Sequence, residues 1–159
     1  MAKSESEKLE QRAKNVLLHQ LSRSMKTRFQ LSEILKKREI PDEIAEAVLD
    51  RFTEAQLIDD AMFAAAYVRS RLENGRSASA IRSELRRKGV SQNLIDVNLA
   101  DVDAEIEQKI ANKLAANRYQ RMSKLEDEVR KRRLLGFLQR RGFSQAIAYR
   151  AISNAQAQG

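Results

Sequence analysis

Apolar residues recur at helical spacing through nearly the whole chain. Ala13, Val16, Leu17 and Leu21 share one face of a helix expected from about Leu9 to Arg23. After the polar break Ser22-Arg23-Ser24, Leu31, Ile34 and Leu35 mark a second helix. Pro41 suits the first turn of a third, where its missing N–H costs nothing, and Ile44, Ala45, Val48 and Leu49 continue that helix. No window alternates apolar and polar residues over a strand length, so the pattern predicts an all-α fold.

The pattern also repeats. Leu31, Leu35, Ile40, Ile44 and Leu49 correspond to Ile81, Leu85, Val90, Leu94 and Leu99, 50 residues on. They correspond again to Leu134, Leu138, Phe143, Ile147 and Ile152, a further 53 residues on. Fifteen apolar positions in fixed register predict internal repetition. The hinge before the third helix of each unit is Glu39, Gly89 and Gly142 in turn, followed by the cap positions Pro41, Ser91 and Ser144. A longer helix precedes each hinged pair: Leu9–Arg23, Asp60–Glu73 and about Asp103–Arg118. Three tandem three-helix repeats result, at residues 9–55, 56–102 and 103–155. A flexible arm is expected at 1–8 and a frayed end at 156–159. An isolated unit of this size would be marginal, so the repeats are expected to stack.

The middle repeat carries the clearest punctuation. Asp59 or Asp60 can cap the helix that follows, because a short carboxylate accepts the free N–H groups there. Gly75 and Gly89 stand where a helix should end in a left-handed residue. In the third repeat the linker is expected at Asn117–Met122, with Ser123 and Glu126 forming a capping box.

Charge adds a functional clue. The net charge is +8, and it is segregated along the chain. Arg130–Arg150 holds seven basic residues and no acid, whereas Ser91–Glu107 holds five acids and no base. Such basic segments attract a polyanion, either nucleic acid or an acidic protein face. The candidate contacts are Arg69, Arg71, Arg82, Arg86, Arg87, Lys88, Arg132, Arg133, Arg140 and Arg141. Cations at helix C-termini also complement the helix dipole, but that alone does not predict an acid-free stretch from Arg130 to Phe143.

Catalytic chemistry finds no foothold. The chain has no cysteine, which excludes disulfides and thiol catalysis and is compatible with a reducing cytoplasm. Asp59-Asp60 reads as a cap and a first-turn charge, since adjacent helical residues do not face each other. The lone histidine, His19, is expected to be a partly buried packing residue. Phe63, Tyr67 and Phe137 are expected in the core rather than stacked on bases. No phosphate-binding loop or nucleophile elbow occurs, so neither an enzyme activity nor a cofactor is expected. The polar N-terminus is no signal peptide and no apolar run is long enough to span a membrane, which points to the cytoplasm.

Ile58-Asp59-Asp60-x-x-Phe63-Ala64, then Arg71, Gly75 and Ile81-x-x-Glu84-Leu85-x-x-Lys88-Gly89-Val90, resembles the central signature of the RecX family. Thr27-x-x-Gln30-Leu31-x-x-x-Leu35 and Leu138-x-Arg140-Arg141-Gly142-Phe143-Ser144 are similar to its outer blocks. The resemblance covers roughly residues 13–152. It departs at Glu39 and Gln56, where the family usually has glycine, so those two turns are expected to close differently. The resemblance implies an elongated, curved array, between a right angle and a crescent, acting as a monomer. It implies a non-enzymatic regulator of the RecA recombinase. Its partner would be the RecA filament on single-stranded DNA, with double-stranded DNA also conceivable. The alternative is an autonomous nucleic-acid-binding protein acting through phosphate neutralisation.

Overall fold

The computed structural model describes residues 2–158 and is helical throughout. Nine helices occur among those residues: α1 (Glu5–Arg23), α2 (Arg28–Lys37), α3 (Asp42–Glu54), α4 (Asp60–Glu73), α5 (Ala78–Arg87), α6 (Gln92–Leu99), α7 (Ala104–Arg121), α8 (Asp127–Arg140) and α9 (Gln145–Gln158). They follow the three-by-three order read from the apolar pattern. At each of the fifteen register positions the burial repeats. Four positions per repeat are buried, and the remaining one, Ile44, Leu94 or Ile147, is half-buried every time.

By contacts the chain forms two compact units, which divide the middle repeat between them. The first runs to Ala66 and includes Leu85–Ile95. In it α1, α2 and α3 pack on one another around Ala13, Leu17, Leu31, Leu35, Val48 and Leu49, closed by Ile40, Phe52 and Ile58. The second contains Tyr67–Glu84 and the chain from Asp96 on. There α7 lies along α9 through Ala111 and Ala115 on one helix and Ala148, Ala151 and Ala155 on the other, and α8 adds Leu134, Phe137 and Leu138. Alanine seams let helix backbones approach closely, which is how a chain with eight aromatic residues closes a core.

Capping explains where the helices start and where expectation needs correcting. Helix α1 begins at Glu5, not Leu9, because Ser4 accepts the Glu7 N–H (3.2 Å) and Glu5 and Glu7 favour the positive end of the helix dipole. Residues 5–8 are therefore helix rather than a loose arm. At the other end α9 continues through Gln158, with the Gln156 amide donating to Asp127 Oδ2 (2.9 Å), so residues 156–158 are not frayed; Met1 and Gly159 lie outside the described residues. Helix α7 runs three residues past Arg118, making Asn117–Arg121 helical rather than linker. The capping box expected at Ser123 and Glu126 does not form. Glu126 itself precedes α8 and makes no side-chain cap, and the helix starts at Asp127.

Asp59 is the cap of α4, accepting the Met62 N–H at 3.0 Å. Asp60 does something else. Its Oδ1 accepts the Arg28 N–H at 2.9 Å, satisfying the first turn of α2. The second unit repeats this device, with Glu107 accepting the N–H of Ala78 at the start of α5 (3.1 Å). In both cases a carboxylate on the leading helix of one repeat caps the basic helix of the preceding repeat.

The turns at Glu39 and Gln56 close in the same way as those at glycine, contrary to expectation. Glu39 and Gln56 both sit at φ 61°. Ile40 N–H bonds to Leu35 O (3.1 Å) and Leu57 N–H to Phe52 O (2.9 Å), the six-to-one bond that ends a helix in a left-handed residue. Val90 to Leu85 and Phe143 to Leu138, each at 3.1 Å, make the same bond around Gly89 and Gly142.

Candidate polyanion-binding site

Helix ends concentrate the cations, but tertiary contacts decide which of them remain available to a ligand. Arg71 Nη2 bonds Glu84 Oε1 at 2.8 Å, with both side chains largely shielded from solvent. That bond raises the Arg71 pKa, and the pair sits beside the half-buried ring of Tyr67. Arg82 pairs with Asp96 at 2.6 Å, and Arg86 donates to the Gln92 side chain at 3.3 Å. The Lys88 carbonyl accepts the Thr27 hydroxyl at 2.5 Å. Arg141 is half-buried and donates to the Asn74 carbonyl. Burial first, then the charges of Arg76, Arg118 and Arg71, depresses the Arg141 pKa.

The remaining candidates are exposed. Arg69 and Arg87 lie on the outer faces of α4 and α5. Arg132, Arg133 and Arg140 project from α8 into a cleft of about 520 Å³, whose other wall is the end of α7 with Arg118 and Arg121. Met122 and Gly136 complete the lining. All seven lining residues belong to the second unit, and no carboxylate is among them. Among the described residues none of the five arginines makes an ion pair.

Two local features shape the cleft. A Cβ at Gly136 would come 3.0 Å from Arg140 Nη1, so glycine in mid-helix leaves room for that guanidinium to lie across α8. The Arg118 guanidinium carbon sits 3.9 Å from the centroid of the Phe137 ring, and that of Arg141 sits 4.9 Å from it. Phe137 is thus a buried core residue whose ring face orients two cations. Phe63 is also buried, as its spacing predicts, whereas His19 is exposed on α1, correcting the expectation of a packing role. Its outer-face position puts it in a second basic depression, of about 530 Å³, with Lys3, Lys8, Arg12 and Arg38.

The sequence reading missed Arg118 and Arg121. The signal was present: residues 108–125 carry five basic residues and no acid, but they lie in the leading helix of their repeat rather than in the basic second helix. Among the described residues no cluster of three or more His, Asp or Glu side chains could hold a metal ion, and no helix is long and apolar enough to cross a membrane.

Three tandem three-helix units with exposed cations on the second helices define an all-α helical-repeat protein. Family models describing the first, second and third three-helix domains of RecX match residues 13–52, 59–97 and 105–152. The chain belongs to the RecX family of regulatory proteins. It is 42% identical over 147 residues to regulatory protein RecX of Thermobifida fusca (strain YX), covering 92% of this chain and 80% of that one. It is also 42% identical over 146 residues to regulatory protein RecX of Streptomyces coelicolor, covering 91% and 78%. A crystal structure of regulatory protein RecX superposes with a TM-score of 0.75 at 29% identity, covering 94% of this chain and 73% of that one. The crystal structure of RecX from Lactobacillus salivarius gives 0.76 at 20% identity, over 94% and 98%, and at that identity bears on the fold alone.

Proposed function

We propose that this chain is a non-enzymatic regulator of the RecA recombinase. It binds the RecA filament on single-stranded DNA and limits the filament's growth or activity in recombination and repair. The observation that carries the reading is the family match across all three repeats, since relatives spanning most of the chain are named regulatory proteins. The exposed arginines supply a chemistry suited to the task, because guanidinium forks pair with both phosphate and carboxylate. The working form is a monomer in the cytoplasm, built from three repeats, the first extended to Glu5 by α1 and the last to Gln158 by α9.

The test is anisotropy binding to labelled single-stranded DNA, bare and then coated with RecA and a slowly hydrolysed nucleotide. Tighter binding to the coated strand, with a shallow salt dependence, is the expected result. Equal affinity for both strands would favour the second reading, an autonomous nucleic-acid binder. The acid-free cleft supports that reading, which requires a salt slope near −0.7 per neutralised phosphate.

A further inference from the structure

Five arginines line the cleft between α7 and α8, without a carboxylate among its lining residues. Like charges lining one cleft repel, and several other arginines of this chain are given a partner: Arg28 with Glu46 and Asp50, Arg71 with Glu84, Arg82 with Asp96. The cleft arginines are held in place by other means. Arg118 rests on the Phe137 ring, and the bare backbone of Gly136 makes room for Arg140. The cationic field also extends beyond the cleft, because Arg141 feels the charges of both Arg118 and Arg76.

We infer that this cleft binds consecutive phosphate groups of a single nucleic-acid strand, by direct contact between the α7 and α8 arginines and the backbone. The inference rests on the filament reading for its biological setting but assigns chemistry to a place that reading leaves open. Two walls of donors call for an acceptor with oxygens on more than one side, which a tetrahedral phosphodiester provides and a flat carboxylate provides less well. A track of charge running from Arg140 through Arg118 toward Arg141 and Arg76 suits a polymer rather than a lone anion. The Met122 surface gives sugars an apolar footing. The arginines of α5 are a different set, since Arg82 and Arg86 already have partners.

The experiment compares two double variants of the full chain carrying the same change in charge, R132Q with R133Q and, at two exposed lysines in the last turn of α2, K36Q with K37Q. All four residues are exposed, so circular dichroism and melting temperature should match the parent. On a bare labelled oligothymidylate the cleft variant should bind at least tenfold more weakly, and its salt slope should flatten by about 1.4, two phosphates at about 0.7 each. The α2 variant should lose less than threefold. Equal losses in the two variants would overturn the inference, because net charge rather than a site would then be acting. Polyglutamate competing as well as unlabelled oligothymidylate of matched charge would also overturn it, in favour of an acidic protein partner, and displacement by tripolyphosphate at lower concentration than oligothymidylate would make the cleft a site for free polyphosphate instead. The same proteins on RecA-coated DNA separate the two proposals. If the parent fails to bind the coated strand while the cleft variant loses bare-strand binding, the filament reading falls and the cleft assignment stands.

Discussion

The turns that end α2 and α5 have the same backbone and different surroundings. Both close on a left-handed residue, Glu39 at φ 61° and Gly89 at φ 78°, and both make the same hydrogen bond from the following N–H. Glu39 is exposed. Gly89 is packed so closely that an added Cβ would lie 2.1 Å from Phe29 Cβ. Gly142, the third copy, faces Ser77 and Ala80 in the same way, with Ser77 Oγ 2.3 Å from where a Cβ would be. The left-handed turn by itself tolerates glutamate at a cost of about 1 kcal/mol. It is the neighbouring helix that demands glycine. Repeats two and three have a preceding repeat whose basic helix rests on this turn, through Thr27 on the Lys88 carbonyl and Ser77 N–H on the Arg141 carbonyl (3.1 Å). The first repeat has none.

Substitution at these turns breaks the comparison in a graded way. Gly89→Ala should have the largest effect, a loss of about 3 kcal/mol, combining overpacking with left-handed strain. Phe29 Cβ is fixed to the α2 backbone and no rotamer change removes it, so the helix itself must shift. Urea unfolding of the full chain would measure this, and a loss below 1 kcal/mol would show that α2 yields easily. Gly142→Ala should cost about 2 kcal/mol, because the Ser77 hydroxyl can rotate away at the expense of its cap to the Ala80 N–H. Adding Ser77→Ala should recover part of that loss, and no recovery would place the strain at Ala80 instead. Glu39→Gly should be the smallest change, a gain under about 1 kcal/mol, since relief of left-handed strain is offset by the extra freedom of glycine in the unfolded chain. A net loss there would mean the Glu39 side chain holds an interaction that the turn geometry does not reveal.

A similar divide runs through the arginines. Sequence spacing places Arg82 and Arg132 on basic helices of successive repeats. Asp96 claims the first, while the second stands in a cleft without a carboxylate. Charge counting along the chain could not separate them. Asp96 lies fourteen residues from Arg82, and Arg118 and Arg121 reach the cleft from the helix before α8.

The sequence by itself determined the helices, their threefold register and the buried face of each repeat. Those depend on local periodicity and on capping residues within a turn of the helix end, information carried by neighbours in the chain. It also held the family signature in the middle repeat. The tertiary structure alone decided that Asp60 caps α2 and Glu107 caps α5, that Glu39 is permitted where Gly89 is required, and which arginines keep their charge uncompensated. Each of those outcomes turns on atoms brought together from distant parts of the chain, where a separation of a few ångströms fixes the energy and no local pattern records it.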